Sequence, residues 1–320
     1  MEQTDLDLFE RSVHHATDRH TGVALDDALD ELGWSEALDD DPHAAVSVLF
    51  GLQGRANATS SSLGRVVAHG LGLDPSSGAA LVLPAVGQSD PPGRLDGERV
   101  HVHGVAPARL TELDDVVVLS TAGDDVLAVT VSRTSLDLRP IGGVDPSAAL
   151  VEVTASGIHP TSMPDAPTSG WADGLALARV AVAPELVGAS RAMLDLAREH
   201  ALDRIQFGVP ISSFQAVRHR LAETLVAIET ADAVVDAAWL DRSPGTAAMA
   251  KALAGREGRT AARHCQQVLA GIGFTTEHPF HRYFRRVLLL DALLDTSKSL
   301  TRDLGDELLA TRHLPPLIPL

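Results

Sequence analysis

Residues 204–223, RIQFGVPISSFQAVRHRLAE, stand between two helical patterns and decide the fold predicted on both sides of them. Between Phe214 and Ile228 apolar residues recur at steps of three and four. This spacing places them on one face and predicts an amphipathic helix. Gly208 and Pro210 are residue types that turns require, so a tight turn is predicted before that helix.

The polar and aromatic residues of this stretch divide into two groups. Ser212 and Gln215 have the spacing of a capping box, in which Gln215 bonds back to the start of the helix. Arg204, Gln206 and Phe207 have no role in a turn or a cap. Because arginine offers paired donors for a diphosphate and phenylalanine offers a face for stacking, these three residues are candidate ligand contacts.

Helical patterns fill residues 171–320. One helix is predicted to begin with Pro184 in its first turn, where proline is favoured. A second follows the turn described above, a third covers residues 244–271, and a fourth covers residues 281–300. Four long helices with short connections predict a C-terminal four-helix bundle.

The sequence before the bundle changes in character at about residue 79. Residues 1–78 carry helical patterns, which predict an N-terminal helical domain. Residues 79–160 hold short runs of β-branched residues separated by Gly, Pro and Asp. These runs predict a middle antiparallel β-domain with a loop-like break at residues 87–98. The predicted fold class is therefore α+β multidomain.

Composition excludes several classes of function. The 320 residues carry a formal net charge of -17, and the only lysines are Lys251 and Lys298. Such an acidic chain lacks the broad basic surface that nucleic-acid binders need. No apolar run approaches membrane-spanning length, and the acidic start lacks the apolar core of a signal peptide, so a cytoplasmic protein is expected.

Cysteine and histidine give little support for a metal site. Cys265 is the single cysteine, which excludes disulfides within the chain and clusters of cysteine ligands. His101 and His103, like His278 and His281, supply two ligands without an evident third or fourth. No metal site is predicted.

Residues 266–286, QQVLAGIGFTTEHPFHRYFRR, contain a second glycine loop. Gly271 and Gly273 follow a helix rather than a strand, so they do not form a dinucleotide fingerprint. They either end the helix or leave room for backbone amides to approach a ligand. Three arginines follow, and they either receive a phosphate or form a solvated helix face. They are Arg282, Arg285 and Arg286.

The order of helices, β-domain and bundle, with these two motifs and the spacing between them, resembles the acyl-CoA dehydrogenase family. The resemblance is strong over about residues 171–300 and rests on organisation alone before them. It implies an oligomer, commonly a tetramer, that oxidises the Cα–Cβ bond of an acyl-CoA with FAD. It also implies that the flavin ring rests on the β-domain of one subunit and the ADP end rests on the bundle of a neighbour.

The resemblance assigns cofactor contacts to positions of this chain. The family's neighbour-side FAD contacts map onto Arg204, Gln206, Phe207, Gln267, Gly271 and Gly273, and in some relatives onto Gln215. Ala270 stands where the family usually has a glycine.

Two parts of the family's active site have no counterpart in this sequence. The Thr-Glu-Pro and Gly-Ser-Asp segment that holds the flavin ring is missing from residues 81–97, the nearest region. The catalytic Glu maps onto Ala178 in one branch of the family and onto Leu294 in the other, and neither side chain takes a proton. The chain therefore resembles the shorter, non-catalytic subunit of heterotetrameric actinobacterial acyl-CoA dehydrogenases, which act on bulky CoA thioesters, notably those of steroid side chains.

Three functions are compatible with these residues. The first is a subunit that completes the FAD site of a catalytic acyl-CoA dehydrogenase partner, in an α2β2 heterotetramer whose acyl-CoA binds mainly in the partner. The second is a self-sufficient homo-oligomeric dehydrogenase that uses Asp295 or Asp291 as a displaced base. The third is a scaffold protein with no flavin role.

Overall fold

The computed structural model describes residues 3–73, 80–164, 167–168 and 170–312. Its N-terminal part consists of α1 (Gln3–Arg19), α2 (Val23–Glu31), α3 (Trp34–Asp40), α4 (Pro42–Ala56) and α5 (Ser62–Gly70). The amphipathic patterns of the sequence correspond to α1, α2 and α5. Helix α4 lacks such a pattern because polar and small residues such as Gln53 and Gly54 are buried together with its apolar ones. The predicted domain boundary between residues 78 and 79 lies outside the described residues.

The middle part is a single sheet. Its strands are β1 (Leu81–Pro84), β2 (Gly93–Asp96), β3 (Arg99–Pro107), β4 (Asp115–Ala122), β5 (Asp125–Ser132), β6 (Asp137–Pro140) and β7 (Leu150–Ile158). The order is β1-β4-β2-β3-β7-β6, and β5 pairs with β4. The sheet is antiparallel as predicted, except that β1 and β2 each run parallel to β4.

Strand β2 corrects one prediction, because it lies inside the segment 87–98 that was predicted as a loop-like break. Gly93 pairs with Ser120 of β4. A Cβ at residue 93 would lie 2.1 Å from the Ser120 Oγ. The glycine that looks like a turn residue in the sequence is therefore needed for strand pairing.

The C-terminal part is helical. It contains α6 (Trp171–Asp203), α7 (Gln215–Asp241), α8 (Pro244–Leu269), α9 (Phe280–Ala292) and α10 (Ser297–Thr311). No helix in the described ranges is both long and apolar enough to cross a membrane. The long helices α6, α7 and α8 pack together as the predicted bundle requires.

The predicted start of the first bundle helix is wrong, because Pro184 lies in the interior of α6. Proline lacks the N–H that would continue the helix, so local sequence disfavours this position. Packing against α4 overrides that preference. A Cβ on Gly188 would lie 2.1 Å from the Gly51 carbonyl oxygen, and a Cβ on Gly54 would lie 2.1 Å from the Glu185 carbonyl oxygen. The two helices therefore touch backbone to backbone, which only glycine allows.

The predicted fourth helix, residues 281–300, is broken in two. Helix α9 ends at Ala292, and Leu294 and Asp295 both have positive φ, at 56° and 81°. Helix α10 then starts after Thr296, whose side chain accepts a hydrogen bond from the Ser299 N–H at 3.1 Å. Leu294 thus lies in a left-handed turn and not on a helix.

Arg286 joins the three parts of the molecule. Its Nε donates to Asp145 Oδ2 at 2.7 Å, and its Nη1 donates to the Ala58 carbonyl at 2.7 Å and to Glu185 Oε1 at 3.2 Å. Asp145 precedes β7, Ala58 follows α4, and Glu185 lies on α6. Arg286 is only 1% exposed, so the sequence-based placement of this residue in a surface arginine group is wrong.

Candidate functional site

The RIQFG stretch forms a small hairpin between α6 and α7. Strands β8 (Ile205–Gln206) and β9 (Val209–Pro210) are joined by Phe207 and Gly208, whose φ values are 51° and 83°. Positive φ at both central residues is the requirement of a type I′ turn, which favours Asn-Gly at these positions. The turn predicted from Gly208 and Pro210 is therefore present, with Phe207 in its first central position.

Phe207 is in an unfavourable place for a phenylalanine. A bulky side chain in the left-handed region costs roughly 1–2 kcal/mol. The ring is also 95% exposed to solvent and touches Phe214 edge to face, with ring centroids 6.2 Å apart. Phe207 therefore serves neither the turn nor the core of this chain. An exposed ring of this kind is expected where a residue contacts something outside the chain.

A groove of about 680 Å³ opens beside the hairpin. This hairpin groove is lined by Gln206, Phe207, Ile211, Phe214, Ala216, Val217, Arg220, Arg263, His264, Gln267 and Val268. Three predicted contacts, from two parts of the sequence, meet here: Gln206, Phe207 and Gln267. The Gln206 amide donates to the neighbouring Ile205 carbonyl at 2.7 Å, which leaves its amide oxygen available to a ligand.

The remaining predicted contacts lie outside this lining. Arg204 precedes the hairpin and is exposed, and its carbonyl accepts from the Ile211 N–H at 2.8 Å. Gly271 and Gly273 belong to a short 3-10 segment, Ala270–Phe274, that directly follows α8. Gly271 is exposed and Gly273 is buried.

The predicted capping box is wrong. Helix α7 begins at Gln215 itself, and Phe214 occupies the N-cap position without a side-chain cap. Ser212 lies one turn earlier in a 3-10 segment, where its carbonyl accepts from Arg218 Nε at 2.8 Å. Gln215 is therefore the first residue of the helix, and its exposed side chain makes no capping hydrogen bond among the described residues. The extra 3-10 turn, which the sequence pattern does not reveal, shifts the cap by two residues.

Ala270 has φ 51° and ψ −131°, a conformation that favours glycine. We expect Ala270→Gly to raise the free energy of unfolding by about 1 kcal/mol, because relief of the strain outweighs the added flexibility of the unfolded chain. Urea unfolding checks this. Ala222→Gly on the exposed face of α7 serves as the matched control and should lower stability by about 1 kcal/mol. A loss of stability in both variants would contradict the strain.

Four groove residues with charged, polar or aromatic side chains were not predicted as ligand contacts: Phe214, Arg220, Arg263 and His264. A signal for Arg263 exists, because it lies four residues before Gln267 and therefore on the same face of α8. Arg220 lies four residues after Ala216, another lining residue, and therefore on the same face of α7. What the sequence lacked was the knowledge that these two faces point at one groove.

His264 is a neutral part of the groove wall. Its Nδ1 lies 3.2 Å from the Thr224 hydroxyl, which itself donates to the Arg220 carbonyl at 2.7 Å. The hydroxyl proton is thus already used, so His264 Nδ1 is the donor in that pair and Nε2 carries the lone pair. Burial, and then the charges of Arg220 and Arg263, lower the pKa of His264 and keep the ring neutral.

The two positions predicted to correspond to the family's catalytic base are linked through Arg179, although they are far apart in sequence. Ala178 is fully buried on α6, and its neighbour Arg179 donates from Nε to the Leu294 carbonyl at 3.2 Å. Lys251 from α8 reaches the same turn, where its Nζ donates to the Asp291 carbonyl at 2.6 Å and to the Asp295 carbonyl at 2.7 Å. Two cations therefore hold the turn where a base would lie.

The displaced bases considered in the sequence analysis are both engaged within the chain. Asp291 accepts from the Ser297 N–H at 3.1 Å and from Arg259 Nη1 at 3.1 Å. Asp295 accepts from the Thr296 N–H at 2.7 Å. Both carboxylates are buried, so these hydrogen bonds stabilise the turn rather than present a base to a substrate.

Lys251 should make the stability of the chain rise with pH. It is 0% exposed, and burial lowers its pKa from 10.5 to about 8, although Asp291 and Asp295 oppose the shift. Below about pH 8 the lysine is charged in both states and the folded state bears the full cost of burying it. Between about pH 8 and 10.5 the folded state loses its proton first, so that cost disappears.

The expected gain in the free energy of unfolding is up to about 3 kcal/mol, because a shift of one pKa unit corresponds to about 1.36 kcal/mol. It is measured as the difference in unfolding free energy between the unmodified chain and Lys251→Met, because other titrating groups cancel in that difference. The difference should grow in favour of the unmodified chain across this pH range. A difference that stays constant would mean that Lys251 keeps its ordinary pKa.

Residues 170–309 match the family model "Acyl-CoA dehydrogenase, C-terminal domain". Acyl-CoA dehydrogenase IpdE2 of Mycobacterium tuberculosis is 34% identical over 196 residues, which cover 61% of this chain and 58% of that protein. The chain thus matches less than two thirds of the length of this relative.

Solved structures extend the likeness to the N-terminal helices and the sheet. The ChsE4-ChsE5 complex from Mycobacterium tuberculosis matches with a TM-score of 0.77 and 19% identity over 99% of both chains. A variant of the Tcur3481-Tcur3483 steroid ACAD matches with a TM-score of 0.76 and 21% identity, over 97% of this chain and 98% of that one. At this identity they show a common fold.

Proposed function

Since this chain belongs to the acyl-CoA dehydrogenase family, we propose that it is the non-catalytic subunit of a heteromeric, FAD-dependent acyl-CoA dehydrogenase. Its hairpin groove receives the ADP half of an FAD whose flavin ring rests on a catalytic partner subunit. Bound FAD supplies the acceptor for the hydride that leaves the acyl chain. The residues of this chain bind and orient that cofactor.

The exposed Phe207 is the observation that carries this proposal. The ring is held in water by a turn that disfavours it, beside a groove that also presents Gln206 and Gln267. Aromatic rings that stack and amides that hydrogen-bond are suited to an adenine and its ribose. Gly271, an exposed glycine four residues after Gln267, has no side chain that would keep a ligand from the backbone there.

The turn at residues 291–296, whose carboxylates are hydrogen-bonded within the chain, supports the non-catalytic role. Ala178 and Leu294 are apolar and buried, and the nearby carboxylates of Asp291 and Asp295 accept hydrogen bonds within the chain. This arrangement favours a partner that supplies the base for the α-proton. A self-sufficient enzyme would have to break these contacts before either aspartate met a substrate.

The reaction proposed for the complex is the introduction of a Cα–Cβ double bond into a bulky acyl-CoA. A steroid side-chain CoA is proposed as the substrate class, since one protein of this fold is a steroid ACAD. An α2β2 assembly is proposed by analogy with the heterotetrameric acyl-CoA dehydrogenases that the sequence resembles. ChsE4-ChsE5 gives an example of a two-protein complex with this fold. The cytoplasmic location stays a prediction.

Activity tests the division of labour between subunits. The chain is expressed alone, with a dehydrogenase encoded next to its gene, and that dehydrogenase is also expressed alone. Reduction of a dye by an acyl-CoA is then measured for each preparation. We expect activity only from the complex. Activity of this chain alone would contradict the proposal and favour a base within it.

A further inference from the structure

Two arginines from different helices line the hairpin groove. Arg220 lies in the second turn of α7, and Arg263 lies near the end of α8, one turn before Gln267. Both are exposed, and the buried ring of His264 lies near both charges. The groove is therefore basic on two sides, although the chain as a whole has a net charge of -17.

Neither of these guanidinium groups is neutralised within the chain. The acidic contact of Arg220 is Glu223 at 3.9 Å, a long, exposed pair that contributes little. Arg263 has no ion pair or side-chain hydrogen bond among the residues that the structure describes. By contrast, Arg191, also near the bundle surface, binds Glu229 and Asp232 at 2.6 Å each. Unpaired arginines facing one groove are a site for an anion.

The rest of the groove restricts which anion fits. Phe207 and Phe214 provide aromatic surface, Gln206 and Gln267 provide amides, and His264 provides a neutral ring. An acidic protein side chain would use the arginines and leave the aromatic surface unused. A nucleoside diphosphate uses all of these groups, because its base stacks while its phosphates accept from forked guanidinium donors.

We propose that Arg220 and Arg263 bind the diphosphate of a nucleotide in the hairpin groove, and that Arg204 is secondary to them. The inference rests on the proposed function in that the nucleotide is the ADP half of FAD. It differs from the sequence analysis, which assigned the diphosphate to Arg204. Arg220 and Arg263 line the groove from two different helices, α7 and α8, whereas Arg204 is not part of its lining.

The position of Arg204 agrees with a secondary role for this residue in binding the diphosphate. Its residue precedes the hairpin and is not part of the groove lining. Its charge acts on His200 near the end of α6, where burial and then Arg204 lower the pKa of that histidine. Arg204 directly follows α6, whereas Arg220 and Arg263 line the groove.

Binding of ADP and adenosine to the full chain tests the pair. Calorimetry is carried out on the unmodified chain and on Arg220→Gln, Arg263→Gln and Arg204→Gln. Arg198→Gln, which changes an exposed arginine of α6 away from the groove, serves as the matched control. Each groove variant should weaken ADP binding at least about tenfold and leave adenosine binding nearly unchanged, since only ADP carries the phosphates. Arg204→Gln should weaken ADP less than either.

The rate of FAD loss from the co-expressed complex is the second readout, and it decides the result if ADP binds the free chain too weakly to measure. The groove variants should release FAD at least about tenfold faster than Arg198→Gln does. A larger effect of Arg204→Gln than of both groove variants would overturn the inference and leave the proposed function intact. Weaker subunit assembly with unchanged nucleotide binding would overturn it in favour of acidic side chains of the partner.

The failure of the proposed function has a different signature. A complex that assembles without FAD, while the free chain still binds ADP through Arg220 and Arg263, would contradict the shared FAD site. The assignment of the pair to a diphosphate would stand in that case, with another nucleotide as ligand.

Discussion

Replacement of Arg286 with methionine is expected to lower the free energy of unfolding by about 3–5 kcal/mol. The substitution removes the only described cation that contacts the buried carboxylates of Asp145 and Glu185. The buried carboxyl groups of Asp145 and Glu185 would then remain in the interior without a cationic partner. Because Arg286 also donates to the Ala58 carbonyl, the variant loosens the N-terminal helices, the sheet and the bundle together.

Urea unfolding of Arg286→Met measures this loss. Arg285→Met changes an exposed neighbour and should alter stability by less than about 0.5 kcal/mol. The triple variant Asp145→Asn, Glu185→Gln, Arg286→Met removes the charges as a set, and should recover most of the lost stability. If Arg286→Met unfolded like Arg285→Met, the cluster would not be what joins the three parts.

The loss should also depend on pH. Burial raises the pKa of Glu185 above its ordinary value of 4.5, and Arg286 opposes that shift. Without Arg286 the pKa rises further, so the folded variant holds a proton that the unfolded chain releases above about pH 4.5. The destabilisation should therefore grow as pH rises from this value and shrink as pH falls towards it.

Phe207→Asn is expected to have opposite effects on the free chain and on the complex. Asparagine tolerates the left-handed turn, so the free chain should gain up to about 1 kcal/mol of stability. Loss of the aromatic face should weaken FAD binding in the complex by about 5- to 150-fold, the equivalent of about 1–3 kcal/mol for one base stacked on one ring. A residue that served only the fold would not separate these two effects.

Thermal unfolding of the free chain and FAD dissociation from the complex are the two measurements. Leu240→Asn is the control, because Leu240 is an exposed apolar residue at the far end of α7 from the hairpin. It should change neither quantity appreciably. If Phe207→Asn kept FAD as tightly as the Leu240 control, the ring would have no contact with the cofactor.

The sequence was informative wherever a local pattern and the tertiary structure agree. The amphipathic stripe after Phe214 predicted α7, and the family resemblance assigned one ligand to Gln206, Phe207 and Gln267, which line one groove. Pro184 misled because the backbone contact of α6 with α4 outweighs the local preference of proline. The break at Leu294 was invisible because Lys251, 43 residues earlier in the chain, holds the left-handed turn through backbone carbonyls.

The charged residues of the site were the least predictable part. Arg220 and Arg263 look like ordinary solvated helix residues, and only the packing of α7 on α8 brings them to one groove. Arg286 looked like a surface residue next to Arg285, and only the approach of Asp145 and Glu185 explains its burial. Such roles depend on partners distant in sequence, which no periodicity encodes.

The amount of FAD bound per subunit tests the central proposal most directly. It is measured for the chain alone, for the co-expressed complex, and for the complex with Phe207→Asn and Gln267→Ala combined in this chain. We expect no FAD on the chain alone, FAD in the unmodified complex, and its loss from the complex with the two substitutions. A chain that carries a full equivalent of FAD by itself, or a complex that keeps FAD without these two side chains, would contradict it.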